Sequence, residues 1–163
     1  MIYVDFDDTL YLHEKHWSYE DDLDYNFRYG LGIYGYKKSN INSGLIRAIE
    51  ELVKNNDEPF YRVYVFMITG SRINLYFEAK RDFIKNNCDD IFDNFFSVSS
   101  QEEKIELIKR YNEMFEIEHG IKVDKTIVID DEYKVLSKCD NKNIIGMTPL
   151  YFEKQYVNGN KEQ

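Results

Sequence analysis

The sequence contains little cysteine, little proline and no hydrophobic run long enough to cross a membrane. Its 163 residues include two cysteines and two prolines. Cys88 and Cys139 lie far apart and outside any CxxC pattern, which disfavours a disulfide or a metal-binding pair and favours reduced thiols in a cytoplasmic protein. The first residues also lack the basic segment that begins a secretory signal peptide, so we expect no association with a membrane.

Positive charge is also in short supply, because 21 lysines and arginines face 30 aspartates and glutamates. The net charge of −9 repels polyphosphate backbones, so broad binding to nucleic acid is disfavoured, although a local basic pocket can still bind one phosphate. Hydrophobic residues make up 43% of the chain, enough for a full core. We expect one domain over residues 1–157 and a frayed tail over residues 158–163. The sequence leaves the oligomeric state open.

Hydrophobic runs alternate with amphipathic helical segments along the chain. The expected strands cover residues 2–5, 62–68, 94–98, 126–130 and 143–147. The expected helices cover residues 41–54, 73–87 and about 101–117, with a short helix around Val135 and Leu136. We expect Ser71 to cap the second helix, and Ser100 with Glu103 to form a capping box at the third. This alternation predicts an α/β fold whose parallel sheet binds ligands at the carboxyl ends of its strands.

The most informative motif is Asp5-Phe6-Asp7-Asp8-Thr9, which directly follows the first hydrophobic run. Asp5 and Asp7 are two residues apart, so a strand ending there aims both carboxylates at the same side of the sheet. Burying two like charges together is costly unless a cation or a chemical role compensates. The pair is therefore a candidate catalytic centre.

Further polar groups follow the other strands, and a parallel sheet would bring them to the same edge. They are Thr69, Gly70 and Ser71 after the second strand, Lys104 in the first turn of the third helix, and Asp130 and Asp131 after the fourth strand. The four carboxylates suit Mg²⁺, which commonly bridges carboxylates and a substrate phosphate. The threonine, the glycine amides and the lysine suit phosphate oxygens. Lys80 and Lys109 are rival lysines, but only Lys104 lies at the start of its helix.

Taken in order, these residues resemble the four motifs of the haloacid dehalogenase superfamily. Asp5-Phe6-Asp7-Asp8-Thr9-Leu10 is similar to the first motif, D-x-D-x-T. Thr69, Lys104 and Ile129-Asp130-Asp131 are similar to the second, third and fourth. The resemblance covers about residues 1–148. It implies a Rossmann-like three-layer α/β/α fold with a five-stranded parallel sheet in the order 5-4-1-2-3, and a Mg²⁺-dependent phosphatase activity.

The resemblance also implies a role for each residue. Asp5 would be the nucleophile that forms a phosphoaspartyl intermediate, and Asp7 the general acid and base. The phosphoryl group would be held by Thr69, Gly70 and Lys104. The metal would be held by Asp5, the backbone carbonyl of Asp7, and Asp131, with Asp130 assisting.

The remaining residues near these motifs have lesser expected roles. Asp8 is interpreted as a turn former, and Thr9 as a support for the motif through hydrogen bonds. His13 and Arg72 are candidates for contact with the substrate, with a surface role equally open for Arg72.

Residues 11–39 are the part least typical of the family, and we expect them to form an enlarged flap over the site. Apolar residues alternate with polar ones from Tyr25 to Ile33, which favours a hairpin strand. Its aromatic residues would either stack on a nucleobase or pack on the core.

Three functions remain open on the sequence alone. The first is a phosphatase of small phosphomonoesters, with nucleotides ahead of sugar phosphates. The second is a phosphatase acting on polynucleotide ends. The third is a catalytically silent binding or regulatory module of the same family.

Overall fold

The computed structural model describes residues 1–14, 36–56, 62–71, 73–88 and 90–157. Within these ranges one five-stranded sheet is formed, and every pair of neighbouring strands is parallel. The strands are β1 (Ile2–Val4), β2 (Val65–Gly70), β3 (Asn94–Val98), β4 (Thr126–Ile129) and β5 (Ile144–Met147). Their spatial order is β3-β2-β1-β4-β5, which is 5-4-1-2-3 when read from the opposite edge. The strand that carries Asp5 therefore lies at the centre.

Helices cover both faces of this sheet, which gives the three layers. The helices are α1 (Ser43–Lys54), α2 (Asn74–Asn87), α3 (Lys104–His119), α4 (Tyr133–Leu136) and α5 (Pro149–Val157), with short 3-10 turns at Lys38–Asn40 and Gln101–Glu103. One core joins Ile2 and Val4 to α1, α2 and α5, and the other joins Tyr3 to α3 and α4. Alternate residues of β1 thus serve opposite cores, as the period of two requires. Among the described residues, no helix is both long and apolar enough to span a membrane.

Two local expectations at helix starts are wrong. The carboxylate of Glu103 accepts hydrogen bonds from the backbone N–H of Ser99 at 3.3 Å and from its hydroxyl at 2.9 Å, and Ser100 makes no side-chain cap. The reason is the 3-10 turn at Gln101–Glu103, which delays the α-helix to Lys104 and moves Ser100 away from its N-cap position. Ser71 donates its hydroxyl to the carbonyl of Ile73 at 3.2 Å, and α2 begins without a side-chain cap.

The two ends of the 11–39 segment meet beside the first motif. The N–H of Leu12 donates to the carbonyl of Asn40, and the N–H of Asn42 donates to the carbonyl of Leu10, both at 2.8 Å. Tyr11 and Ile41 form an antiparallel bridge between these contacts. The segment is therefore closed at its base like a hairpin, although the hairpin strand expected at residues 25–33 lies outside the described residues.

Helix α5 was not expected from the sequence, and its packing makes a test of the fold. Phe152 is fully buried in the core that α1 lines, whereas Leu150 on the same helix is 60% exposed. We expect Phe152→Ala to lower the free energy of unfolding by about 3–5 kcal/mol, because it removes a large buried side chain and leaves a cavity. Urea denaturation measures this difference.

The matched control is Leu150→Ala, which should change the free energy of unfolding by less than about 0.5 kcal/mol. An equal loss in both variants would show that α5 does not pack on the sheet as described.

Candidate active site

The loop after β1 turns back sharply and fixes the two aspartates. The N–H of Leu10 donates to the carbonyl of Asp5 at 3.3 Å, and the N–H of Tyr11 donates to the carbonyl of Phe6 at 2.8 Å. Asp8 sits in this turn with φ of +53°, a left-handed conformation that aspartate tolerates better than most residues. Its expected role as a turn former is therefore confirmed.

Thr9 links this loop to its neighbours. Its hydroxyl donates a long hydrogen bond of 3.5 Å to Oδ1 of Asp131, and its carbonyl accepts from the side chain of Asn42 at 3.1 Å. The hydroxyl thus ties the first motif to the acidic pair after β4, in line with the supporting role that was expected for it.

A buried ammonium joins three segments of the chain. Nζ of Lys104 lies 2.6 Å from Oδ1 of Asp5 and 2.7 Å from Oδ2 of Asp130. Lys104 and Asp130 are fully buried and Asp5 is 2% exposed. Lys104 is the first residue of α3, so the helix start delivers its side chain to the carboxyl ends of β1 and β4. Lys104 therefore lies at the start of its helix and beside the first motif, while its role toward phosphate stays a prediction.

The charges around Lys104 do not balance. Burial raises the pKa of Asp5, and the nearby carboxylates of Asp130 and Asp7 raise it further against the lowering effect of Lys104. Burial alone would lower the pKa of Lys104, but its two carboxylate partners outweigh this and raise it. The ammonium therefore stays protonated, and it can compensate only one of its two carboxyl partners when both are ionised.

A second buried ammonium contacts the other aspartate of the motif. Nζ of Lys80 lies 2.7 Å from Oδ2 of Asp7, with Oγ1 of Thr69 at 3.5 Å and the carbonyl oxygen of Gly70 at 3.4 Å. It also lies 5.5 Å from the centroid of the Phe6 ring. Sequence reasoning treated Lys80 only as a rival to Lys104, but the structure places both lysines in the site. The available signal was the position of Lys80 four residues before Ile84, on the buried face of α2.

His13 completes the surroundings of Asp7. Its Nε2 lies 2.9 Å from Oδ1 of Asp7, and its own backbone N–H donates to Oδ1 of Asp8 at 3.2 Å. Burial would raise the pKa of Asp7, but Lys80 and His13 outweigh it and the pKa is lowered. The candidate for substrate contact is therefore already a partner of the proposed acid and base. Arg72, the other candidate, lies outside the described residues.

Thr69 and Gly70 are the last two residues of β2, so the strand extends beyond the expected end at residue 68. Both are fully within the sheet and pair with Ser97 and Val98 of β3. The hydroxyl of Thr69 is buried next to Lys80 and close to the end of β1. This edge of the sheet thus gathers the residues that the sequence proposed for phosphate.

The acidic residues of the site are also arranged so that they could bind a divalent cation. Asp5, Asp130 and Asp131 each present a carboxylate oxygen, and these three atoms lie within 4.8 Å of one another. Oδ1 of Asp130 also accepts the N–H of Glu132 at 2.8 Å. Burial and the neighbouring Asp130 and Asp8 raise the pKa of Asp131 to about 6, the sign of a carboxylate surrounded by excess negative charge. Hard oxygen ligands and uncompensated charge are what Mg²⁺ would satisfy.

Comparisons with known proteins do not identify a family for this chain. A scan against protein-family models, a search of curated proteins and a search of solved structures each gave no match.

The raised pKa of Asp131 predicts how stability depends on pH without metal. An ordinary aspartate loses its proton near pH 4, whereas Asp131 in the folded protein keeps it until about pH 6. The folded state therefore binds more protons in this window, so the contribution of Asp131 makes the free energy of unfolding fall as pH rises from about 4 to 6. A cation that binds the ionised carboxylate should reverse this loss.

We therefore expect Mg²⁺ to raise the melting temperature more at pH 7 than at pH 5. At a free concentration about 100 times its dissociation constant, Mg²⁺ should stabilise the protein by about 2.7 kcal/mol. Differential scanning fluorimetry measures the shift. In Asp131→Asn the shift should largely disappear, whereas Glu132→Gln removes a neighbouring charge outside the three-oxygen cluster and should keep it. An undiminished shift in Asp131→Asn would contradict the cation site.

Proposed function

We propose that this protein is a Mg²⁺-dependent phosphatase of the haloacid dehalogenase type, acting on small phosphomonoesters through a phosphoaspartyl intermediate. The observation that carries the proposal is the convergence of Asp5, Asp7, Thr69, Lys104 and the Asp130–Asp131 pair at one edge of a parallel sheet. Phosphoryl transfer needs positioned groups and neutralised charge above all, and this edge supplies both.

In the first step the carboxylate of Asp5 attacks phosphorus. A bond forms between its oxygen and phosphorus, while the bond from phosphorus to the ester oxygen breaks. The departing oxygen takes a proton from the carboxyl group of Asp7 and leaves as an alcohol. Asp5 then carries the phosphoryl group, and Asp7 is a carboxylate.

In the second step Asp7 takes a proton from water, whose oxygen attacks the same phosphorus. The bond to Asp5 breaks, Asp5 returns to a carboxylate, and inorganic phosphate is released. Asp7 is protonated again, so it regains in the second step the proton that it gave to the leaving oxygen in the first. The lowered pKa of Asp7 in the free protein favours its ionised form, which is the form that accepts a proton in the second step. Approach of a phosphate dianion brings negative charge close to it and favours the protonated form that the first step requires.

The two cations and the hydroxyl have supporting roles. The ammonium group of Lys104 has three N–H donors. Two of them donate to Asp5 and Asp130, so the third can donate to a phosphoryl oxygen. Thr69 is suited to donate its hydroxyl to another phosphoryl oxygen. Mg²⁺, held by Asp5, Asp131 and the backbone carbonyl of Asp7, with Asp130 assisting, would neutralise charge shared by the carboxylates and the phosphate.

Small phosphomonoesters are favoured over polymers as substrates on grounds of charge. The chain carries a net charge of −9, which repels long polyanions, whereas a single phosphate can be held by the buried ammonium group of Lys104. Nucleotides remain the preferred class within this group, because the segment that follows the first motif in the sequence, residues 11–39, is rich in aromatic residues.

The proposal is tested by hydrolysis of 4-nitrophenyl phosphate with and without Mg²⁺. Turnover should require the metal, and Asp5→Asn should lower kcat/KM by about 10³-fold or more, because it removes the nucleophile. The matched control is Asp8→Asn, since asparagine also tolerates the left-handed backbone and keeps an acceptor for the N–H of His13. That variant should stay within about threefold of the wild type.

Two outcomes would overturn the proposal. Wild-type protein that hydrolyses no phosphomonoester under any divalent metal would leave the silent binding module as the better account. Full activity in Asp5→Asn would remove the nucleophile even if phosphatase activity persisted.

A further inference from the structure

Of the two buried lysines in the part of the chain that the structure describes, Lys80 is the one to which the sequence motifs give no role. It is fully buried, yet it comes from the middle of α2 and not from the carboxyl end of a strand. Removing an ammonium from water costs several kcal/mol, and ordinary helix lysines avoid this by reaching solvent. A fully buried lysine therefore requires partners that compensate for the lost hydration of its charge, and those partners indicate where the lysine acts.

Lys80 makes a short contact with the carboxylate of Asp7. Its Nζ lies 2.7 Å from Oδ2 of Asp7, while His13 contacts the other oxygen, Oδ1, at 2.9 Å. With one partner on each oxygen, the carboxylate cannot rotate without breaking a charge-assisted hydrogen bond. The two partners thus fix the plane of the Asp7 carboxylate relative to Asp5, which lies two residues earlier on the central strand.

Lys80 also reaches the phosphate side of the site. An ammonium can only donate, so where Nζ approaches Oγ1 of Thr69 at 3.5 Å it takes up a lone pair of the hydroxyl. The hydrogen of that hydroxyl is directed to the carbonyl oxygen of Gly70 at the long distance of 3.5 Å, and a bound phosphoryl oxygen would be a competing acceptor for it. One side chain therefore acts on both the proposed acid and the proposed phosphate donor.

We propose that Lys80 is a positioning residue that holds the carboxyl group of Asp7 in line with the leaving oxygen of the substrate. The inference rests on the proposed function, because it assigns Lys80 to the proton transfer of the first step. Lys80 exchanges no proton in this scheme. Its loss should let Asp7 move away from the leaving oxygen, and that oxygen would then depart without a proton.

The dependence of the rate on the leaving group distinguishes this role from general binding of phosphate. Phenyl phosphate and 4-nitrophenyl phosphate present the same phosphoryl group, but phenolate is a much stronger base than 4-nitrophenolate and needs the proton more. The parameter kcat/KM reports the first step alone, up to release of the phenol. A misplaced general acid therefore slows phenyl phosphate more than 4-nitrophenyl phosphate.

The experiment compares kcat/KM for the two substrates in the wild type, Lys80→Met and Lys85→Met. Lys85 lies on the same helix but is exposed, so its replacement is a matched control. We expect the ratio of 4-nitrophenyl to phenyl phosphate to rise about tenfold or more in Lys80→Met and to stay unchanged in Lys85→Met. Both substrates are measured on one preparation, so the fraction of folded protein cancels from the ratio.

Further variants keep the test decisive. Lys80→Gln retains hydrogen-bond donors without the charge, and serves where Lys80→Met folds poorly. Asp7→Asn should raise the ratio at least as much as Lys80→Met. The double variant with both Asp7→Asn and Lys80→Met should raise the ratio no further than Asp7→Asn alone, because the two residues act as one unit.

The outcomes separate the two proposals. A wild type that hydrolyses neither ester overturns the proposed function itself. A wild type that hydrolyses both, with Lys80 variants that lose activity equally on the two esters, overturns the positioning role and makes Lys80 a phosphate-binding or structural cation.

Discussion

The site depends on one buried ammonium held between two carboxylates. Lys104 contacts Asp5 at 2.6 Å and Asp130 at 2.7 Å, and so joins the ends of β1 and β4 to the start of α3. Removing one member of such a buried group typically costs about 3–5 kcal/mol, because the remaining charge is left without compensation. The strand order makes this contact possible, since β1 lies between β2 and β4 and their carboxyl ends are adjacent.

The two aspartates of the first motif differ because each has its own cation. Asp5 shares Lys104 with Asp130, and the surplus of carboxylates raises its pKa. Asp7 has Lys80 on one oxygen and His13 on the other, and its pKa is lowered. Paired titratable groups whose surroundings separate their pKa values are typical of acid and base chemistry. The surplus negative charge lies on the Asp5 side, where Asp131 completes the group that could hold a cation.

Much of the fold could be predicted, because buried parallel strands appear as continuous hydrophobic runs. Tyr3 and Val128 face one helical layer while Val4 and Ile129 face the other, so all residues of these two strands except Thr126 are apolar. Helix α5 is hard to predict because, among the α5 residues whose burial the structure describes, only Phe152 is fully buried, and the periodic signal is weak. Pro149 at its first position was an available signal, since proline is favoured there.

The candidate site was predictable where it follows strand ends, and less so elsewhere. Asp5, Asp7, Thr69 and Asp131 could be placed from strand order alone, whereas Lys80 reaches the site from the middle of a helix. To predict the position of Lys80, one must know how α2 is rotated about its own axis and how the helix packs against the sheet. These are tertiary features, and a lysine on a helix is more often a solvated side chain.

The central claim is that the Asp5 carboxylate receives the phosphoryl group while Lys104 and a divalent cation hold it in place. A crystal structure of the protein with Mg²⁺ and beryllofluoride, which mimics a phosphorylated aspartate, tests this most directly. The account predicts beryllium bonded to a carboxylate oxygen of Asp5, fluorine atoms near Thr69 and Lys104, and the cation between Asp5 and Asp131. An adduct on another residue, or a cation bound away from this group, would contradict it.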